Sequence, residues 1–218
     1  MNDFLKDYLK ELDTNTANAM STELIPNREL AFTHYILTQI AAKVGAENFE
    51  VIHADIKDSA GKYLGEIFAY NESSNQEVLT LFYTIYGTSP ETNNKVLTDT
   101  DVQYAWNRLQ GFYDRSIRGA HFDMDEDNPA YQVAKTIYEN NQKYQTIRFY
   151  ILSNYIIKRS EPKKIRVRSK ETDNNVWDLS KRTGNLTNNS DHVEINIDFG
   201  LVVASPGVSA STAQHSPS

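Results

Sequence analysis

Between residues 26 and 155 the apolar residues change from helical to alternating spacing, return to helical spacing, and alternate again. That succession admits few folds, because each period commits its segment to one backbone geometry. Pro26-Asn27 opens a helix that carries Phe32, Tyr35, Ile36, Ile40 and Val44 toward a core and stops at Gly45. Three segments rich in β-branched and aromatic residues follow, Phe49 to Ile56, Lys62 to Tyr70 and Val78 to Tyr86, and read as strands. The polar link from Asn71 to Gln76 suits a turn, so the last two are expected to form an antiparallel hairpin. Thr98-Asp99-Thr100-Asp101 then supplies a capping box for a helix bearing Val102, Ala105, Trp106, Leu109, Phe112 and Tyr113. Asn128-Pro129 starts another helix through Val133, Ala134 and Ile137, ending at Asn140-Asn141. Strands are expected at Thr146 to Tyr155 and Lys164 to Lys170, then a short helix around Trp177-Asp178-Leu179 and a last strand through Val193, Ile195, Ile197 and Phe199. The order implies an α/β fold, a mixed β-sheet flanked by helices, as one layered domain or two small lobes.

At the N-terminus Phe4, Leu5, Tyr8, Leu9 and Leu12 form one helical stripe, with a polar stretch from Asp13 to Thr22 behind it. The chain from Gly200 onward is Ser/Ala/Pro-rich with no acid or base except His215, and a disordered tail over 200–218 is expected beyond a domain spanning 1–199. No apolar run has the roughly 18 residues that a membrane crossing needs, and the charged opening MNDFLKDYLKELD lacks a signal peptide's apolar stretch. Together with zero cysteines this points to a cytoplasmic protein without disulfides or thiolate metal sites.

The nine glycines form no phosphate loop or dinucleotide fingerprint, and neither a nucleophile-elbow serine nor a helical zinc motif is present. His34, His53, His121, His192 and His215 stand far apart and receive no role, since lone histidines are mostly structural. Asp123-Met124-Asp125-Glu126-Asp127 begins like a calcium loop, but Asn128 stands where glycine is needed and Ala134 where the bidentate glutamate belongs. The acids instead suit the approach to a helix N-terminus. Net charge is −7, so polyanions are repelled overall, yet Lys158, Arg159, Lys163, Lys164, Arg166, Arg168 and Lys170 face only Glu161 in their stretch. These seven are the candidate nucleic-acid contacts, against the alternative of a wet edge-strand face with Ile165 and Val167 pointing inward. Tyr8, Tyr35, Tyr63, Tyr104, Tyr113, Tyr131 and Tyr138 occupy core-compatible positions, so no exposed stacking platform is expected.

Four passages resemble the abortive-infection phage-resistance (AIPR) family of bacterial defence proteins. They are Arg28-Glu29-Leu30-Ala31-Phe32; Ile67-Phe68-Ala69-Tyr70-Asn71-Glu72 with Leu79-Thr80-Leu81-Phe82; Ile147 to Asn154; and Trp177-Asp178-Leu179 leading to the segment from His192 to Phe199. The resemblance covers residues 1 to about 200 and implies a restriction-endonuclease-like core, followed in the family by a larger C-terminal region, of which this chain would be a truncated copy. In active nucleases of that fold, an acid on the hairpin and a second acid with a lysine on the next strand hold Mg²⁺ or Mn²⁺ and activate water. Here Leu79 to Tyr86 is apolar or uncharged where that acid and lysine would stand.

Glu29, Glu66 and Glu77 are the carboxylates placed to substitute, and no metal ligand is assigned. The leading expectation is a degenerate nuclease-like domain that binds nucleic acid or a partner without cutting and needs no cofactor. One alternative is a metal-dependent endonuclease with Lys57 or Lys62 as a displaced catalytic lysine. The other is an interaction module that self-associates through the aliphatic edge of the Val78 to Tyr86 strand.

Overall fold

The computed structural model describes residues 3–22, 25–87, 96–157 and 170–178, with the side chains of 3–9, 157 and 171 left aside. Helices α1 (Asp3–Thr22) and α2 (Arg28–Val44) precede strands β1 (Glu50–Lys57), β2 (Tyr63–Glu72) and β3 (Val78–Ile85). Then come β4 (Val96–Leu97), α3 (Asp99–Ser116), a 3-10 turn at Ala120–Asp123, α4 (Pro129–Asn140), β5 (Thr146–Ser153), β6 (Ile156–Ile157) and β7 (Glu171–Trp177). The caps sit where the sequence puts them. Asn27 accepts from the Leu30 N–H, Gly45 closes α2 in the left-handed region at φ 66°, and Thr98 and Asp101 complete a capping box on α3.

The main sheet is five-stranded and mixed, in the order β1-β2-β3-β5-β7. β1, β2 and β3 form an antiparallel meander; β5 runs parallel to β3, and β7 parallel to β5. A parallel neighbour needs a crossover, which the segment containing α3 and α4 provides. Phe32, Ile36, Ile40 and Val44 of α2 pack with Ala69, Phe82, Tyr150, Leu152 and Trp177. A second cluster joins Trp106, Leu109 and Phe112 of α3 and Val133 and Ile137 of α4 to Leu79, Leu81, Ile147, Phe149 and Ile151. Neighbouring residues of β3 and β5 thus enter different clusters, and the sheet's centre is buried on both faces. Each such side chain contributes about 1.5–3 kcal/mol.

Several expectations are corrected. The Val78 to Tyr86 segment is no edge: β3 is the central strand, hydrogen-bonded to β2 and β5, and its near-continuous apolar run is what burial on both faces demands. Asp13 to Thr22 is helical, because Leu12 and Thr16 are buried, Asn15 donates to the Tyr35 hydroxyl at 3.0 Å and Asp13 pairs with Arg28 at 2.8 Å. These contacts outweigh the poor helix propensity of Thr and Asn. Trp177 is not helical but ends β7, where it is buried against the α2 cluster. A small parallel pair, β4 with β6, was not anticipated, being only two residues long in each strand. Of the expected Lys164 to Lys170 strand only Lys170 is described; the segment from His192 to Phe199 and the 200–218 tail lie outside the described residues. Among the described residues no helix is long and apolar enough to cross a membrane.

Candidate functional site

Polar side chains gather on the β1–β2 hairpin beside α3. Between the pairs Val51↔Ala69 and Ala54↔Ile67, β1 spends one more residue than β2, and His53 lies in this irregular stretch. Such an extra residue re-aims a side chain. His53 Nε2 donates to Glu66 Oε1 at 2.8 Å, and the Tyr83 hydroxyl donates to Glu66 Oε2 at 3.3 Å. Both carboxylate oxygens are therefore engaged, and the Glu66 side chain is only 13% exposed. Aromatic contacts fix the donors: His53 stacks on Phe68 at 4.8 Å, and Phe68 meets Tyr83 edge-on at 5.4 Å.

The hydrogen bond to Glu66 raises the His53 pKa, with a smaller contribution from Asp55, while burial and Lys57 oppose it. The Tyr83 hydroxyl is pushed well above its ordinary range, first by burial and then by the neighbouring Glu66 and Tyr104. Tyr83 thus stays a proton donor to the carboxylate. Asp55 stands opposite Glu66 in the β1–β2 register, but its carboxylate pairs with Lys57 at 3.1 Å.

Beside this network lies a group of cations and rings. The Lys57 ammonium sits 4.3 Å from the Tyr63 ring centre, and the Arg108 guanidinium lies 5.1 Å from Tyr63 and 4.4 Å from Tyr104. Arg108 also donates to the Tyr104 hydroxyl, while its Nε is buried without a hydrogen-bond partner. Tyr63 and Tyr104 are 39% and 50% exposed, so they do not serve as core residues, and closely spaced exposed aromatics exist after all. Tyr138 is likewise exposed, whereas Tyr113 is fully buried.

The sequence-derived carboxylates do not share partners. Glu29 stands in the first turn of α2, and Glu77, ahead of β3, accepts from Asn75 at 2.6 Å and Gln145 at 3.1 Å. Lys62 is exposed in the β1–β2 turn, where its backbone N–H donates to Asp58. Among the described residues no group of three or more histidines or carboxylates could hold a metal ion, and Asp55, the carboxylate opposite Glu66, is paired with Lys57. Lys170 donates to the backbone carbonyls of Asn141, at 2.6 Å, and of Tyr144, and burial lowers its pKa. The other six basic candidates, Lys158 to Arg168, lie outside the described residues.

His53, Tyr83 and Arg108 are the site residues that sequence reasoning passed over. One signal was available: His53, Asp55 and Lys57 alternate along a strand, which places polar groups on one side of β1. No curated protein and no solved structure matches the chain. Residues 32–182 match the family described as the abortive infection phage resistance protein N-terminal domain. The match takes in well over half of the chain, including most of α2, the whole five-stranded sheet and the hairpin site, and the chain belongs to that family.

Proposed function

We propose that this domain binds nucleic acid without cleaving it, within the abortive-infection phage resistance that its family membership supports. The core would be a degenerate relative of the restriction-endonuclease core, with its mixed sheet kept and its catalytic set replaced. The observation that carries this reading is the internal use of the hairpin's ionisable groups. Each carboxylate oxygen of Glu66 is engaged, by His53 or by Tyr83, and Lys57 is paired with Asp55, so the group holds itself together where a nuclease would hold metal and water. Binding is supported by Arg108 beside the exposed rings of Tyr63 and Tyr104, a combination that takes phosphate and stacks bases. The basic stretch from Lys158 to Arg168, between β6 and β7, would extend the phosphate contacts.

The test is a single gel. The purified chain is incubated with labelled plasmid DNA and with structured RNA, in Mn²⁺ or in EDTA, and both cutting and band shift are resolved. A salt-sensitive shift with no cutting in either buffer is expected, weakened by Tyr104→Ala and by the double change Arg166→Gln with Arg168→Gln. Metal-dependent cutting that disappears on Glu66→Gln overturns the reading in favour of an endonuclease. The absence of any shift overturns it in favour of an interaction module.

A further inference from the structure

On another part of the surface the 3-10 turn and α4 enclose a pocket of a different character. Gly119 enters the turn at φ 85°, and a Cβ there would lie 2.6 Å from the Phe122 ring, so glycine is needed for both backbone and space. The turn then buries His121 and turns Phe122 outward, leaving it 70% exposed, the most exposed large apolar side chain among the described residues. Phe122 and Tyr138 meet edge-on at 5.3 Å, and the His121 ring lies 4.1 Å from Phe122, 5.0 Å from Tyr138 and 6.1 Å from Tyr131. These four rings line a cavity of about 410 Å³ together with Met124, Glu126, Lys135 and Glu139, so two acids and one base share its wall.

We infer that this cavity is a binding site for an arginine side chain of a partner protein. Two features converge on that ligand. Aromatic ring faces attract an organic cation, and one cation already uses this surface, since Lys135 sits 5.8 Å from the Tyr131 ring centre. The surroundings are acidic: Asp123, Asp125, Glu126 and Asp127 follow one another with no base among them, and Glu139 faces the same cavity. Such a rim repels phosphate and draws basic peptide segments. His121 is 5% exposed, and its Nδ1 is buried without a hydrogen-bond partner. Burial fixes this ring in place beneath the more exposed Phe122 and Tyr138.

A guanidinium meets both demands together: its plane stacks on rings and its fork fits a carboxylate. An ammonium is a point charge and does not match the stacked geometry as well. Phe122, the most exposed ring of the lining, would then cover the ligand's aliphatic stem. The site is separate from the hairpin cluster, and the inference stands whether or not the domain binds nucleic acid.

The test uses the full chain and a fluorescein-labelled peptide of alternating glycine and arginine, followed by anisotropy. Control peptides carry lysine or the neutral isostere citrulline in place of arginine. The arginine peptide is expected to bind, with the citrulline peptide weaker by about tenfold or more and the lysine peptide intermediate. Phe122→Ala, with its melting point measured alongside to confirm folding, is expected to weaken arginine-peptide binding about tenfold. Glu126→Gln should weaken it several-fold, and Glu47→Gln, an acid elsewhere, should not. Equal binding of lysine and arginine peptides, or full binding by the Phe122→Ala chain, means attraction to net charge alone and overturns the assignment. Failure of every peptide to bind overturns it as well.

Discussion

Gly65 of β2 and Gly111 of α3 face each other so closely that helix and strand touch through their backbones. A Cβ on Gly65 would lie 2.2 Å from the Phe112 nitrogen, and one on Gly111 would lie 1.9 Å from the Leu64 carbonyl oxygen. The obstacles are backbone atoms, which cannot rotate aside. Gly65→Ala and Gly111→Ala are therefore each expected to destabilise the domain by about 3 kcal/mol or more, read as a shift in urea midpoint at constant slope. Two glycines tolerating alanine would show that α3 can lift away from the sheet cheaply.

Thr33 and Thr84 join α2 to β3 through a buried hydrogen bond of 2.6 Å. Thr33 has one hydroxyl hydrogen, which it gives to the Glu29 carbonyl at 2.7 Å, so Thr84 must be the donor to Thr33. Thr33→Val strands a buried donor and is expected to cost about 1–3 kcal/mol, whereas Thr84→Val removes donor and bond together and should cost about 1 kcal/mol. Chemical denaturation of the two variants side by side checks the order, and a reversed order would contradict the assigned direction.

His53 makes stability depend on pH. Its folded-state pKa lies above the ordinary 6.5, held up by Glu66 and Asp55 against burial and Lys57. A raised pKa means that the stabilisation is complete below the unfolded value and is lost as pH rises through the folded value. As pH rises from below 6.5 through the folded-state value, the wild-type chain should lose more stability than His53→Gln, and Glu66→Gln should behave like His53→Gln. The C2 proton of His53, followed by NMR, should titrate with a midpoint above 6.5 that falls in Glu66→Gln.

Lys170 and the arginines that precede it should separate by assay. Lys170 is tied to two backbone carbonyls, so Lys170→Met should cost about 2 kcal/mol of stability and leave the salt dependence of nucleic-acid binding unchanged. Arg166→Gln and Arg168→Gln should leave the melt unchanged, and each should flatten the slope of log affinity against log salt on duplex DNA by about 0.9. Equal slopes for all three variants would remove these arginines from the interface.

Wherever periodicity and capping agreed, the sequence was sufficient: Asn27 and Gly45 bound α2, Thr98 and Asp101 start α3, and Asn128 starts α4. Strand order was not readable, since the apolar run of β3 fits an edge or a centre until its neighbours are known. The polar half of α1 was hidden because its helix is held by Tyr35 and Arg28 from another element. The candidate site was half legible. Glu66 could be singled out as a carboxylate on a hairpin, but His53 reaches it only through the irregular stretch of β1, and Tyr83 and Arg108 arrive from β3 and α3. The exposure of Tyr63 and Tyr104 likewise depends on what does not cover them, which no local pattern encodes.

The parallel pairing of β3 with β5 has a consequence for synthesis. It joins residues 68 apart, and everything that β3 needs on its other side has left the ribosome long before. At 5–20 residues per second the nascent chain waits roughly 3–14 s for its second partner, with its most apolar strand open along one side. During that interval β3 is a sticky template for other chains, so a cell making this protein rapidly must shield it with a chaperone or lose part of each batch to aggregation.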